Sequence, residues 1–402
     1  MNGSKLLPLS RPAGQRPRVL IAGGGVAALE TLLALRAYAG DRIEVRMLSA
    51  SPWFVYRPLA VAEAFGAPPA PRLDLRQICA EQSAHFQTGT LKRVDCPGKH
   101  ALTETGGVLT YDALVLALGA RRHSWMHEAA TLFGPGSGER IARYVREAEE
   151  GRITSIAFVV PPTETWPLPV YELALMAARR TAKRKGTVAI KIVTPESEPL
   201  GVFGPAAAEA VQKLLTEVGV EIHTGRSVVA RDGNGALSVV PHDAGPIVAE
   251  RIVTLPRLTG PGIEGVGADP DGFVRVNSSG QVTGHPDTYA AGDTTTVPMK
   301  QVGVAAQQGN TVAEHIAARA GAEVVPSPFR PTLSAMLLTG GDPLYLRAEI
   351  TGGRGQTSQA ARDLGATLPA GVATSHVSDY LLEHGADKSA AFAHDVLAVG
   401  KP

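Results

Sequence analysis

Gly23-Gly24-Gly25-Val26-Ala27-Ala28 follows the apolar run Arg18–Ala22 and fits the pattern G-x-G-x-x-A. Gly23 permits a tight turn, Gly25 lets the backbone approach a pyrophosphate, and Ala28 allows close helix–sheet contact. A helix starting there presents unpaired N–H groups and a positive dipole end to the anion. The acid that usually binds ribose in this pattern is replaced by Ser49, whose hydroxyl bonds ribose without a carboxylate's charge. Far down the chain comes Tyr289-Ala290-Ala291-Gly292-Asp293, a short apolar strand ending in a Gly-Asp turn. A second candidate cluster is Trp166, Tyr171 and Glu172. Glu172 is either a proton-transfer group raised in pKa by burial or an acid in a helix's first turn that favours the dipole. Lys300 is either a charge that stabilises a reduced cofactor or a solvated loop lysine. No histidine spacing indicates catalysis, and Cys79 and Cys96 form neither a C-x-x-C pair nor a metal-ligand set.

These residues need a scaffold. Arg18–Ala22, Ala27–Ala39 and Ile43–Leu48 read as strand, helix, strand, and Ala113–Leu118 as a strand buried on both faces. Ile153–Val160, Val170–Lys183, Thr187–Val193, Ala206–Val218, Val220–His223 and Arg251–Leu255 repeat that order, which predicts a duplicated β-α-β architecture. The stretch Gly272–Asn277 returns to the first unit, and a helix over Val304–Ala320 completes it. From Pro326 the composition shifts to proline-punctuated apolar runs, with a loose loop expected at Gly352–Thr357. The tail segments Val377–His384 and Ala390–Val399 carry Asp379, Glu383, Asp387 and Asp395, an acidic balance suited to packing on protein rather than on a membrane.

With 402 residues, 44% hydrophobic and 19% charged, the chain is globular and long enough for two or three domains. A formal net charge of +1 favours neither nucleic acid nor an acidic membrane. No apolar run reaches the ~20 residues that span a bilayer, and the start of the chain reads as a loose tail without a signal core. A cytoplasmic location is expected.

The second unit's first turn, Val160-Pro161-Pro162-Thr163-Glu164-Thr165-Trp166-Pro167, has no glycine. Proline removes backbone donors, and bulky side chains block a pyrophosphate. A standard NAD(P)H site is therefore not expected, and Glu196 is expected to be a surface loop residue.

Gly23–Ala28, Trp53–Leu59, Tyr111–Gly119, Pro167–Glu172, Val202-Phe203-Gly204, Tyr289–Asp293 and Gln307-Gln308-Gly309 together resemble the superfamily of sulfide:quinone oxidoreductases, flavocytochrome c sulfide dehydrogenases and type II NADH dehydrogenases. The resemblance runs over roughly residues 17–350. It implies an α/β fold of glutathione-reductase-like tandem dinucleotide-binding (Rossmann-type) domains with a small C-terminal α+β domain. The expected boundaries are a flexible tail at 1–16, an FAD-binding domain at 17–125 and 272–325, a second dinucleotide-binding-like domain at 126–271, and a C-terminal domain at 326–402. It implies noncovalent FAD held by Gly23, Gly25, Val26, Ala27, Ser49, Arg57, Leu91, Ala117, Gly119, Gly292, Asp293, Gln301 and Val302, with Asp293 on the ribityl chain. Trp166, Glu172 and Lys300 are the candidate catalytic residues; no metal is expected.

Gln307-Gln308-Gly309 is similar to the quinone-facing helix of the NADH branch. The sulfide-oxidising branch carries cysteines beside the flavin, and no cysteine follows Cys96 here, so persulfide chemistry is not expected. The expected function is two-electron transfer on FAD between a small-molecule donor and an acceptor such as a quinone or redox partner. The alternatives are an NAD(P)H:quinone oxidoreductase and a non-catalytic FAD-containing scaffold or complex subunit. Expected partners are a small molecule or quinone, and either a second copy in a homodimer or a redox partner protein, with no nucleic acid.

Overall fold

The computed structural model describes residues 6–9, 14–182, 188–231, 236–241, 245–351, 354–361 and 375–384. The fold is α/β, with two Rossmann-type units in tandem. In the first unit a six-stranded sheet runs Gln281–Val282, His285–Ala290, Ala113–Leu116, Arg18–Ala22, Glu44–Ser49, His85–Thr88. Every neighbouring pair is parallel except the edge pair of Gln281–Val282 with His285–Ala290. In the second unit a five-stranded parallel sheet runs Ala130–Thr131, Arg251–Thr254, Ser155–Val159, Ala189–Val193, Val220–His223. The central strand Ala113–Leu116 is buried at every position, because Ala113 and Val115 pack on helices and Leu114 and Leu116 pack on a three-stranded antiparallel sheet through Leu91, Ala101 and Leu109.

Seven helices are described: α1 (Val26–Ala39), α2 (Leu75–Glu81), α3 (Ser137–Glu149), α4 (Leu168–Thr181), α5 (Pro205–Glu217), α6 (Val302–Arg319) and α7 (His376–Glu383). Helices α1 and α6 cross closely at Gly309, where a Cβ would press on the Ala27 carbonyl oxygen 2.7 Å away. Thr31 Oγ1 donates across that crossing to Gly309 O at 3.3 Å. Helix α6 starts at Val302, earlier than the sequence pattern suggests, because the Gln301 side chain caps it by accepting from Val304 N at 2.8 Å. Glutamine is not among the favoured capping residues, so the pattern gave no signal there.

The C-terminal sheet joins Thr332–Leu337, Leu344–Thr351 and Arg354–Ala361 antiparallel. It shares one apolar core with the second unit, where Leu333, Leu337 and Leu346 meet Met176 and Phe203. The loose loop expected over Gly352–Thr357 is corrected from Arg354 onward: these residues pair as a strand, and Gly352 and Gly353 lie outside the described residues. A glycine-rich, polar sequence without alternating apolar residues gives no strand signal; the strand is defined by pairing with its neighbour. The expected loose tail is also corrected at Leu9, which is buried and donates its N–H to Arg319 O at 3.1 Å, while Arg319 Nε donates to Leu7 O at 2.8 Å.

Helix α7 packs on the protein's own body; Ala390–Val399 lies outside the described residues. Val377 and Leu381 are buried in the core that contains α1. Glu30 of α1 is completely buried, and its two carboxylate oxygens accept from His376 N at 3.2 Å and Val377 N at 2.7 Å. Those amides are among the unpaired donors at the start of α7. Burial raises the Glu30 pKa to about 7 against the lowering effect of these bonds, with Asp379 adding to the rise. The folded value exceeds the ordinary one, so this group's stabilisation is fully present below about 4.5 and is lost as pH rises through about 7. Glu30→Gln offers one acceptor oxygen in place of two and is expected to cost about 1–2 kcal/mol at pH 5. Thermal unfolding measured at pH 6 and pH 8 checks the sign: the gap between the wild type and the variant narrows at the higher pH.

Candidate functional site

One cleft of about 570 Å³ runs from the glycine turn of the first unit to the surface between the two units. At its first end the strand Arg18–Ala22 delivers Gly23, held at φ +136° with its N–H donating to Leu48 O at 2.8 Å. A Cβ on Gly23 would fall inside the Ala117 carbonyl, and one on Gly24 would collide with Ser49 Oγ and Leu75. Gly25 differs: a Cβ there meets no protein atom within 4 Å, because it faces the open cleft. Helix α1 begins immediately after with no side-chain cap, so its first N–H groups are available to an anion. Ser49 is buried and its Oγ donates to Ser51 O at 2.8 Å. Its proton is spent locally, so toward a ribose hydroxyl Ser49 acts only as an acceptor.

Midway along the cleft, Gly292 turns at φ +71° and carries Asp293. Gln308 Oε1 accepts from Gly292 N at 2.6 Å, Thr295 Oγ1 donates to Gly292 O at 3.0 Å, and Gly119 N donates to Thr294 Oγ1 at 2.9 Å. Burial raises the Asp293 pKa, opposed by the charges of Lys300 and Arg122. Lys300 is buried, with Nζ donating to Thr295 O at 2.5 Å and lying 3.8 Å from the centroid of the Phe273 ring. Burial lowers its pKa against the pull of Asp293. The solvated-loop alternative for Lys300 is therefore corrected. The quinone-facing reading of Gln307-Gln308 is corrected too. Gln307 is spent on the C-terminal sheet, donating to Thr332 O at 2.8 Å and accepting from Thr332 N at 2.9 Å, and Gln308 holds the Gly292 turn.

At the far end, α4 enters with Pro167, Leu168 and Pro169. Its start at Leu168 places Glu172 beyond the first turn, which corrects the dipole alternative. Glu172 is buried, its Oε1 accepts from Leu338 N at 3.1 Å, and burial lifts its pKa to about 8. Trp166 packs edge-on against Phe203 at 5.6 Å between ring centroids. Leu168, Leu255, Pro256 and Met336 make this end of the cleft apolar.

One cleft is lined by Gly23, Gly25, Val26, Ala27, Ser49, Arg57, Leu91, Ala117, Gly119, Gly292, Asp293, Gln301 and Val302, together with Trp166, Glu172 and Lys300. The candidate Tyr171 is corrected: it is fully buried away from the cleft and bonds Glu196. Sequence reasoning missed Arg122, Phe133 and Met336, which also line it. Arg122 follows closely on the Gly119 turn, a signal available in the sequence; nothing local marks Phe133 or Met336.

Glu196 is corrected from a surface loop residue to a half-buried one. It accepts from Tyr171 OH at 2.7 Å and from Thr194 Oγ1 at 2.9 Å, and burial lifts its pKa to about 7. It stands past the end of strand Ala189–Val193, where a ribose-binding acid would stand in a dinucleotide unit. Tyr171 from α4 and Thr194 both bond its Oε2. Among the described residues, no group of three or more His, Cys, Asp or Glu side chains could hold a metal ion.

A family model described as pyridine nucleotide-disulphide oxidoreductase matches residues 171–309. The type II NADH:quinone oxidoreductase NdhA of Mycobacterium tuberculosis (strain ATCC 25618 / H37Rv) is 24% identical over 326 residues, covering 71% of this chain and 67% of that protein. Among solved structures, the sulfide:quinone oxidoreductase of the hyperthermophilic bacterium Aquifex aeolicus aligns at a TM-score of 0.74 and 18% identity, over 96% of this chain and 93% of that one. A putidaredoxin reductase–putidaredoxin covalent complex aligns at 0.59 and 19% identity, over 83% of this chain and 81% of that chain. At these identities the solved structures speak to the fold. The cleft fits a dinucleotide cofactor on its own geometry: the open face at Gly25 beneath an uncapped helix start, and a half-buried carboxyl at Asp293 further along.

Proposed function

We propose that this chain, an FAD-dependent oxidoreductase resembling the sulfide:quinone oxidoreductase and type II NADH dehydrogenase superfamily, passes two electrons to a quinone-like acceptor at the apolar end of its cleft. FAD supplies the electron-transfer chemistry when bound. Gly25 and the start of α1 hold its pyrophosphate, and Asp293 accepts from the ribityl hydroxyls. Lys300, fixed by the Thr295 carbonyl, keeps a positive charge beside Asp293. Trp166, Leu168 and Met336 exclude water and present an apolar wall to a planar acceptor. The Leu338 amide binds Glu172 Oε1, which leaves Oε2 to carry the proton. With a pKa near 8 the carboxyl is protonated at neutral pH and can donate to an acceptor oxygen as that oxygen gains charge. The observation that carries this reading is a buried carboxyl, Glu172, at the apolar end of the same cleft that holds the glycine turn.

The test uses the holoprotein, photoreduced without oxygen and mixed with a naphthoquinone. Flavin absorbance is expected to return within the mixing experiment, far faster than in buffer alone. Equal rates would remove the proposal. The second reading, NAD(P)H:quinone reduction, is favoured by the name of the Mycobacterium tuberculosis relative. It is opposed by the proline-rich entry to α4 and by the Tyr171–Glu196 bond. Mixing oxidised holoprotein with NADH separates the two: bleaching within seconds supports NAD(P)H, and unchanged absorbance supports another donor.

A further inference from the structure

The chain crosses between its two units on an isolated antiparallel ribbon, Arg121–His123 paired with Arg257–Thr259. Arg122 stands opposite Leu258, and His123 opposite Arg257. Paired residues in a ribbon share a face, and successive residues alternate. Arg122 and Leu258 both line the cleft. Arg121, His123 and Arg257 therefore project from the other face, and all three are exposed. The ribbon is one strand layer thick, with the cofactor cleft behind it and solvent in front.

The outer face is cationic and held in place. Arg257 lies over the Trp125 ring at 5.1 Å, and Trp125 Nε1 donates to Leu255 O at 3.0 Å. His123 Nε2 is 2.8 Å from Thr259 Oγ1. Among the described residues, neither Arg121 nor Arg257 forms an ion pair with a carboxylate. Past the Thr259 end of the ribbon, Asp269 Oδ1 accepts from the Phe273 amide at 2.8 Å, and the exposed Asp271, whose carbonyl accepts from Gly260 N at 2.8 Å, pairs with neither arginine among the described residues. The formal net charge of the whole chain is only +1, so this concentration of unpaired cations is local.

We propose that the outer face of this ribbon docks an acidic one-electron carrier protein, which delivers electrons through the ribbon to the cofactor cleft. The proposal rests on the reading of the cleft given above. It identifies the donor that the glycine-free turn of the second unit leaves open. Charge complementarity sets the partner's sign. A protein fits better than an anionic membrane, because Leu258 faces the cleft and the one aromatic ring beside the cations, Trp125, is half-buried beneath Arg257 and tied to Leu255 O. The balance is simple. Two reduced carriers each lose one electron; the quinone gains both electrons and two protons, one from Glu172 and one from solvent, and leaves as quinol.

The test compares wild-type holoprotein with the double variant Arg121→Glu/Arg257→Glu, using a reduced plant-type [2Fe–2S] ferredoxin as the acidic probe. The rate of flavin reduction at low salt is expected to fall about tenfold or more in the variant. The wild-type rate is expected to fall steeply with added salt, and the variant's to lose that slope. Reoxidation of photoreduced flavin by the naphthoquinone is expected to be equal in both proteins, which shows that the variant is folded and loaded. Equal ferredoxin rates and salt slopes in the two proteins overturn the docking proposal. So does a basic carrier, cytochrome c, exchanging electrons with the wild type as fast as ferredoxin does. Charge-dependent binding to phosphatidylserine vesicles without any ferredoxin effect also overturns it, in favour of a membrane. Failure of the naphthoquinone step in the wild type would instead count against the reading of the cleft, and a charge-dependent ferredoxin rate would still stand without it.

Discussion

Glu172→Gln is expected to keep its FAD and to slow quinone-driven reoxidation of the reduced protein by about 10²-fold or more, the usual worth of a positioned general acid. Glutamine retains the Oε1 acceptor for the Leu338 amide, so the local structure keeps its bond and loses only the transferable proton. The pH profile carries the sharper signature. Wild-type turnover is expected to decline as pH rises through about 8, where the carboxyl ionises, and the variant's slow rate is expected to stay flat there. Stability moves with the same titration. The folded pKa lies above the ordinary carboxyl value, so the stabilisation from this group is complete below about 4.5 and is lost as pH rises through about 8. The variant escapes that loss, so its melting temperature is expected to change less than the wild type's between pH 6 and pH 9. Stopped-flow reoxidation across that range and thermal unfolding on the same samples decide it. A glutamine variant with the wild-type profile would leave Glu172 a buried structural acid.

Gly25→Ala and Gly23→Ala are expected to fail in different ways. At Gly25 the backbone sits at φ −93°, ordinary for alanine, and the added methyl meets no protein atom within 4 Å. The apoprotein is expected to fold with nearly the wild-type melting temperature. The methyl projects into the space where the pyrophosphate must approach, and FAD affinity is expected to fall about a hundredfold or more. At Gly23 the backbone is at φ +136° and the methyl would enter the Ala117 carbonyl, so the crossing between the first strand and its parallel neighbour must open. That variant is expected to lose soluble expression or several degrees of melting temperature, with FAD loss as a consequence. Flavin content by absorbance and apoprotein unfolding, measured together, separate the two. If Gly25→Ala binds FAD with wild-type affinity, the anion does not sit at the start of α1.

The legible parts of this protein were those set by local rules. Arg18–Ala22 and Val220–His223 have the strand limits read from the sequence, because a short apolar run between turn residues leaves the chain little alternative. The glycine turn was legible for the same reason, since only glycine tolerates Gly23's conformation. The misreadings share a different cause. Lys300 and Glu196 were taken for solvated residues, one as an open alternative and the other outright, because charge normally means exposure. Each is instead enclosed with the help of a group from far along the chain, Phe273 beside Lys300 and Tyr171 beside Glu196, with Thr295 and Thr194 adding nearby bonds. Gln307 looked ready to face a ligand, yet its amide closes on the backbone of Thr332.

The order of residues alone was enough for the two β-α-β units, the phosphate turn and the absence of a glycine turn in the second unit, since each follows from backbone sterics and hydrophobic period within a few neighbouring positions. Folding was needed to bring Gly25, Asp293 and Glu172 into one cleft, to bury Glu172 and Glu30 so that their protons are held near neutral pH, and to set unpaired arginines on the strand layer behind the cofactor. Desolvation and charge proximity depend on distances in space between residues far apart in the chain, and no local pattern encodes them.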